Sequence, residues 1–426
     1  MFHNCVKLAV VNFLLLSPIV SSAQNTASNR ENSPYSRYGL GELRNGSNTA
    51  LKSMANQTAA YANGYLVNPE NPASYASLKL VTYELGAEGR SRTLISNNQS
   101  ATTGTATLSH LTIGIPVAKH AGIAFGLRPY TRVYYRMNDS LNLDGMGPAL
   151  KVYSGDGGTN YAFLGGGWQY KGFSIGVNVG YLFGTIRNSV ILQKQYDTVN
   201  AYNSDFSVFR KIGGLHYELG TQYYTSLRNK LGLRLGANAS FAQNLNLWAD
   251  TSASLWRNSG TSTIFDTATY VNNARGTIRL PLSYSIGAQL FNENKWMAGI
   301  NFSAAKWSEF RNAGSVDSVT NSFKISMGGE YTPDATSYYQ YLRRITYRLG
   351  FYYGKDFVDL RNTSINYYAV TAGASLPFKR SQDRIHMGLE LGRRGKETNG
   401  LVRENFFRFY FGISLNDRWF VKRKYD

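Results

Sequence analysis

The sequence predicts an all-β fold: a transmembrane antiparallel β-barrel of about fourteen strands with a small N-terminal hatch in its lumen. Three observations predict it. Segments alternate apolar and polar residues with period two, the connections between them alternate tight and long, and the chain opens on an export signal.

The alternation is plainest near the C-terminus. Phe407, Phe409, Phe411, Ile413 and Leu415 interleave with Arg408, Tyr410, Gly412 and Ser414. In a strand this puts the apolar residues on one face, whereas a helix would scatter them around its circumference. The same pattern runs through Phe173–Val179, Leu231–Ala239 and Ile385–Leu391. Strands are expected near 79–90, 106–117, 121–135, 159–170, 173–190, 211–226, 231–244, 275–290, 295–305, 321–332, 343–354, 366–377, 383–393 and 403–415. Most reach the roughly 9–11 residues that a tilted membrane strand needs. No run of about 18 apolar residues follows the leader, which excludes helical spans.

Tight connections fall at Lys119-His120, Lys171-Gly172, Arg228-Asn229-Lys230, Asn292-Glu293-Asn294 and 377–382. Long polar ones are expected at 91–105, 136–158, 191–210, 245–274, 306–320, 355–365 and 394–402, while 331–343 is a long member of the short set. This asymmetry is how outer-membrane barrels are built, and an even strand count puts both termini on the periplasmic, short-turn side. Tyr134, Tyr135, Tyr352, Tyr353, Tyr367, Tyr368, Trp168, Trp296 and Trp307 lie toward strand ends, where amphipathic rings favour the membrane interface.

At the N-terminus Lys7 is the only charged residue of the first 23, followed by the mostly apolar Leu8 to Val20 and the small residues Ser21-Ser22-Ala23. Residues 1–23 read as a signal peptide cleaved before Gln24. The only cysteine is Cys5, so the exported chain has no disulfide framework and no lipid-anchoring cysteine. The 426 residues carry 45 Lys+Arg against 26 Asp+Glu, a formal charge of +19. In an exported chain with basic residues scattered over turns, that excess points to outer-membrane lipid headgroups or an acidic protein partner, and not to nucleic acid.

Residues 24–78 form a second unit without clean alternation, ahead of a barrel over 79–415 and a basic tail at 416–426. Ser33-Pro34-Tyr35-Ser36-Arg37-Tyr38-Gly39 opens the unit and Asn71-Pro72-Ala73 closes it. Between them, Met54 to Tyr65 is rich in small residues and is expected to form a short, tightly packed helix. Low charge and high Ala/Gly content favour a plug over a tail. These features resemble the FadL-like family of outer-membrane transporters of long-chain fatty acids and hydrocarbons. The Ser33–Gly41 motif and the closing Asn416-Asp417-Arg418-Trp419-Phe420 with the basic tail resemble its Bacteroidota-type branch. The resemblance implies a lumenal hatch and passive movement of apolar small molecules, with lateral release into the bilayer. A PorV-like branch implies instead a partner in protein secretion. Unlike many outer-membrane barrels, the chain does not end on an aromatic residue.

On the register above, Glu218, Arg234, Lys324, Glu330, Arg348, Glu390 and Arg408 face the lumen. They read as a solute path or as Glu–Arg pairs that satisfy one another. His110, His120, His216 and His386 lack metal-ligand spacing, and Gly165-Gly166-Gly167 is not followed by a helix, so no metal, cofactor or enzymatic activity is expected. Three functions stand open: hydrophobic uptake, a non-transporting subunit of an envelope secretion or assembly complex, and a general porin.

Overall fold

The computed structural model describes residues 31–143, 147–194, 202–227, 231–259, 262–292, 295–337, 339–379 and 381–419. The expected signal peptide over 1–23, the expected turn residues Arg228, Asn229, Lys230, Glu293 and Asn294, and the tail from Phe420 lie outside them.

Fourteen antiparallel wall strands close into a barrel. They are β1 (Val81–Ser96), β2 (Gln99–Ala118), β3 (Ala121–Leu143), β4 (Gly147–Tyr170), β5 (Phe173–Lys194), β6 (Asn203–Ser226), β7 (Leu231–Ser240, continuing as Gln243–Ser259), β8 (Ser262–Leu280, continuing as Ser283–Asn292), β9 (Trp296–Ala305), β10 (Ser322–Tyr331), β11 (Thr346–Leu360), β12 (Thr363–Pro377), β13 (Arg384–Arg394) and β14 (Arg403–Asp417). Closure is β14 on β1, from Arg403↔Ile95 to Asp417↔Val81. Among the described residues no helix is long and apolar enough to cross a membrane. Outward positions such as Leu164, Ile175, Val177, Ile286, Leu349 and Leu391 are exposed, forming the apolar belt a lipid-facing wall requires.

β7 and β8 break side by side, at 241–242 and 281–282. Pro281 has no N–H to give the ladder. Gln243 bridges the break on the other side, where its Oε1 accepts from the Tyr217 N–H at 3.1 Å and its Nε2 donates to the Tyr217 carbonyl at 3.2 Å.

All fourteen expected strands are present, but most of the expected long polar loops are not loops. Strands β3 to β8 run on through 136–143, 147–158, 203–210, 245–259 and 262–274 as tall hairpins. The connections expected at 91–105 and 355–365 shrink to Asn97-Asn98 and Arg361-Asn362, both residues of each turn having positive φ. That backbone matches strand twist in two-residue hairpins. Threonine, serine and asparagine read as loop in sequence, yet a strand standing in water has no face that must be apolar.

The wall is therefore uneven. β9 and β10 span only Trp296–Ala305 and Ser322–Tyr331, while β3 to β8 rise well above them. β2 and β3 also part, since their pairing runs only from Leu111↔Leu127 down to Ala118↔Ala121.

Residues 31–80 lie inside the barrel. Met54 to Tyr65 is not the expected helix. The only α-helical turn there is α1 (Thr49–Lys52), capped by the Asn48 side chain. Ala55 and Asn56 both have φ of +59°, which ends it. Small side chains suit a tight helix, but here they let the hatch backbone lie flat on wall glycines: Gly236 meets Ala59, Gly328 meets Met54 and Gly350 meets Ala55. Of the aromatics expected at the interface, Tyr135, Tyr352 and Trp307 are buried in the lumen, while Tyr353, Tyr368, Trp168 and Trp296 face outward. Alternation allows only one residue of each Tyr-Tyr pair to reach lipid.

Candidate functional site

The hatch meets the wall through three devices. The first is a set of glycines. Gly122, Gly167, Gly176 and Gly220 face the Asn71–Tyr75 turn so closely that any Cβ would strike it. At Gly176 a Cβ would sit 2.6 Å from the Ala73 nitrogen. Asn71 caps the 3-10 turn Pro72–Ser77 by accepting from the Ala73 N–H, and its amide donates to the carbonyls of Ala59, Thr221 and Ala237.

The second device is strand addition. Glu42↔Arg132 and Leu43↔Thr131 pair the hatch to β3 where β2 has left it. Above them the Ser33 N–H donates to the Tyr134 carbonyl (3.0 Å), and Asn32 Oδ1 accepts from the Arg136 N–H (3.1 Å). The hatch thus closes the β2–β3 parting from inside.

The third is a buried ionic network. Six carboxylates (Glu31, Glu42, Glu88, Asp356, Glu390, Glu404) balance six cations (Arg44, Lys52, Arg90, Arg92, Arg394, Arg408). Arg92, 1 % exposed, reaches Glu31 and Glu42 at 2.8 Å and Glu404 at 3.1 Å. It joins the hatch to both strands of the barrel seam. Glu390 pairs with Arg408 at 2.6 Å and also accepts from the Tyr352 and Tyr410 hydroxyls. Buried charges persist only when so matched, because removing one partner strands the rest.

Beside the hatch lies a cavity of about 340 Å³. Ser47, Asn56, Thr58 and Glu70 of the hatch line one side; Arg128, His216, Glu218, Asn238, Ser240, Ser285, Ser303 and Lys324 of the wall line the other, with Tyr130, Tyr284 and Phe357 between. Arg128 joins Glu70 to Glu218. An apolar molecule here would take water from these charges without replacing it, whereas pockets for apolar ligands carry few polar groups. Above the cavity the inward side chains Leu182, Ile186, Ile212, Leu245, Leu247, Ile278 and Leu280 pack together with Trp307 and Phe310, all buried.

A family model, BamG, matches residues 5–426. The chain belongs to the BamG family. No curated protein matches it. Among solved structures the BamG-family chain resembles the Ralstonia pickettii toluene transporter TbuX, with a TM-score of 0.58 and 13% identity over 87% of this chain and 98% of that one. It also resembles the Pseudomonas putida toluene transporter TodX (0.55, 14%, 89% and 100%) and a Pseudomonas aeruginosa FadL homologue (0.53, 11%, 88% and 98%). At such identities the likeness shows the fold, a FadL-type barrel of the outer-membrane kind. These neighbours are channels and transporters, not enzymes. Among the described residues no group of three His, Cys, Asp or Glu is placed to hold a metal.

In this BamG-family chain the Ser33–Gly39 run is the upper latch of the hatch. Ser33 Oγ donates to Glu404 at 2.7 Å, and Pro34 starts a 3-10 turn. The Tyr35 hydroxyl donates to the Val402 carbonyl, with Arg394 over its ring. Arg37 lies over Tyr153, and Tyr38 packs on the lumenal core. The Gly39 N–H donates to Asp317 at 2.7 Å, and its φ of +62° between Trp307 and Phe357 suits glycine. All seven lumen residues point inward. Arg348 pairs with Glu330 at 2.8 Å, and Arg408 with Glu390. Arg234 donates to the Ala62 carbonyl, and Lys324 sits over Tyr352. Glu84, Glu88, Arg90 and Arg92 were missed, although their period-two spacing in β1 carries the same signal.

The network sets a pH window. Burial raises the Glu42 carboxyl, but Arg92, Arg44, Arg408 and Arg394 outweigh it and hold it well below its usual 4.5. A carboxyl held low stabilises docking above that value and loses its contribution as pH falls beneath it. Burial, then Glu404, pushes the Tyr35 hydroxyl up to about 12 from 10.0, so docking weakens as pH climbs through that range. The melting temperature of the detergent-solubilised chain is expected to fall below about pH 5, as the Glu42 contribution is lost, and above about pH 9, as the Tyr35 contribution is lost. An unchanged melting temperature at both extremes would contradict this.

Proposed function

We propose that this chain is a sealed outer-membrane barrel, a non-transporting subunit that supports other proteins of the envelope. The observation that carries the reading is the balanced six-by-six ionic network tying the hatch to the barrel seam. Opening a path would break ion pairs that are buried on both sides. The hatch also shuts the β2–β3 parting, where a lateral exit would lie, and the cavity beside it is ionic.

A second reading, passive uptake of small hydrophobic molecules, is favoured by the likeness to toluene transporters and by the β2–β3 parting itself. Native extraction separates the two. The chain is taken gently from outer membranes, weighed intact, and reconstituted in liposomes with toluene as the probe. The subunit reading expects a stoichiometric protein partner, no bound apolar molecule, and toluene transfer no faster than in empty liposomes. A lone chain carrying an apolar ligand, or toluene transfer by the intact chain faster than in empty liposomes, would overturn it.

A further inference from the structure

The tall sheet β3–β8 has two vertical edges above the closed ring. The β3 edge is covered by the hatch as far as Arg136. The β8 edge is not. β9 ends at Ala305 and β10 starts at Ser322, so from Ile264 to Gly276 no strand among the described residues pairs on that side. At its foot the chain already adds a short strand there: Ile278↔Asn312 and Arg279↔Arg311, with the Ala313 N–H donating to the Thr277 carbonyl.

The edge also stands clear of the bilayer. Ser283–Asn292 supplies the roughly ten residues that cross the hydrocarbon, and Ile264–Gly276 lies beyond them. At about 3.3 Å per residue it presents some ~40 Å of edge, interrupted by register shifts between Thr267 and Thr269 and between Val271 and Ala274. Its only charges are Asp266 and Arg275, and Phe265 and Tyr270 are 71% and 61% exposed. Natural sheets guard such edges with short strands, lysines or proline, since an unguarded one recruits another strand. Here the edge is long and has neither lysine nor proline; its two bulges, between Thr267 and Thr269 and between Val271 and Ala274, leave Ile264–Thr267 and Thr269–Val271 as regular runs open to pairing.

We infer that the Ile264–Gly276 edge of β8 is a docking site for an extended, largely uncharged segment of a different envelope protein, which adds to the sheet as a further strand. The backbone groups set the affinity, and the exposed Ile264, Phe265, Tyr270 and Val271 select apolar residues in the partner. A second copy of the chain fits poorly. Copies in one membrane share an orientation, so a two-fold axis along the membrane normal would set two β8 edges in the same sense, in the less stable parallel pairing. The inference rests on the partner-subunit reading and names its surface.

The test compares hydrogen exchange of the Ile264–Gly276 amides in native outer-membrane vesicles and in the purified chain in detergent. A second arm repeats it with the double variant Phe265→Lys, Val271→Lys, whose substitutions lie perpendicular to the β7–β8 ladder and leave it intact; unchanged heat-modifiable migration reports a folded barrel. The expected result is exchange at least about tenfold slower in the vesicles, lost in the variant together with the native complex mass. Equal exchange in both settings, or protection that survives the lysines, overturns the docking site. So does co-purification of two differently tagged copies through this edge. A complex that persists while the amides exchange freely sinks this inference alone, whereas a chain with no stoichiometric partner sinks the subunit reading beneath it.

Discussion

Replacing Arg92 with leucine is expected to unlatch the hatch at a cost of about 3–5 kcal/mol. Glu31, Glu42 and Glu404 would keep their burial and lose their shared cation. The double variant Arg92→Leu, Glu404→Gln should recover part of the loss, because one stranded charge is removed with its partner. Thermal melting of the detergent-solubilised barrel and trypsin access to residues 31–60 read the effect. Unchanged melting and unchanged access in the single variant would mean that the network does not hold the hatch.

Substituting Gly176 by leucine is expected to lift the Asn71–Pro72–Ala73 turn from the wall. The obstacle is backbone: the new Cβ would meet the Pro72 carbonyl and the Ala73 nitrogen, neither of which can turn aside as a flexible side chain would. In planar bilayers the native chain should show no steady conductance, and Gly176→Leu should show frequent open steps. Gly89→Leu is the control, since a Cβ there has nothing within 4 Å. A silent Gly176→Leu in a correctly inserted barrel would show that the turn does not seal the short-turn end. Steady conductance in the native chain would reinstate the general porin.

The wall was legible in sequence because a membrane strand has one rule for each face. Phe407, Phe409 and Phe411 must meet lipid, and Arg408 between them must not. That rule lapses above the bilayer, which is why 136–143 and 262–274 read as loops although they are strands. It also says nothing of the hatch. Met54–Tyr65 looked helical from its small residues, but their purpose becomes visible only when Gly328 and Gly350 are seen to receive the Met54 and Ala55 backbone. The Ser33–Gly39 run was conspicuous as a motif and mute as to role, since its partners Glu404, Val402 and Asp317 lie far along the chain.

A fourteen-strand barrel, the inward face of Glu218, Arg348, Glu390 and Arg408, and a plug-like composition ahead of β1 can all be read from single segments, because alternation and burial are local and repeat along each strand. The meeting of Arg92 with Glu31, Glu42 and Glu404, the closing of the β2–β3 parting by the hatch, and the open edge of β8 emerge only in the assembled barrel. Those facts depend on ring closure and on the relative heights of neighbouring strands, which no single segment encodes.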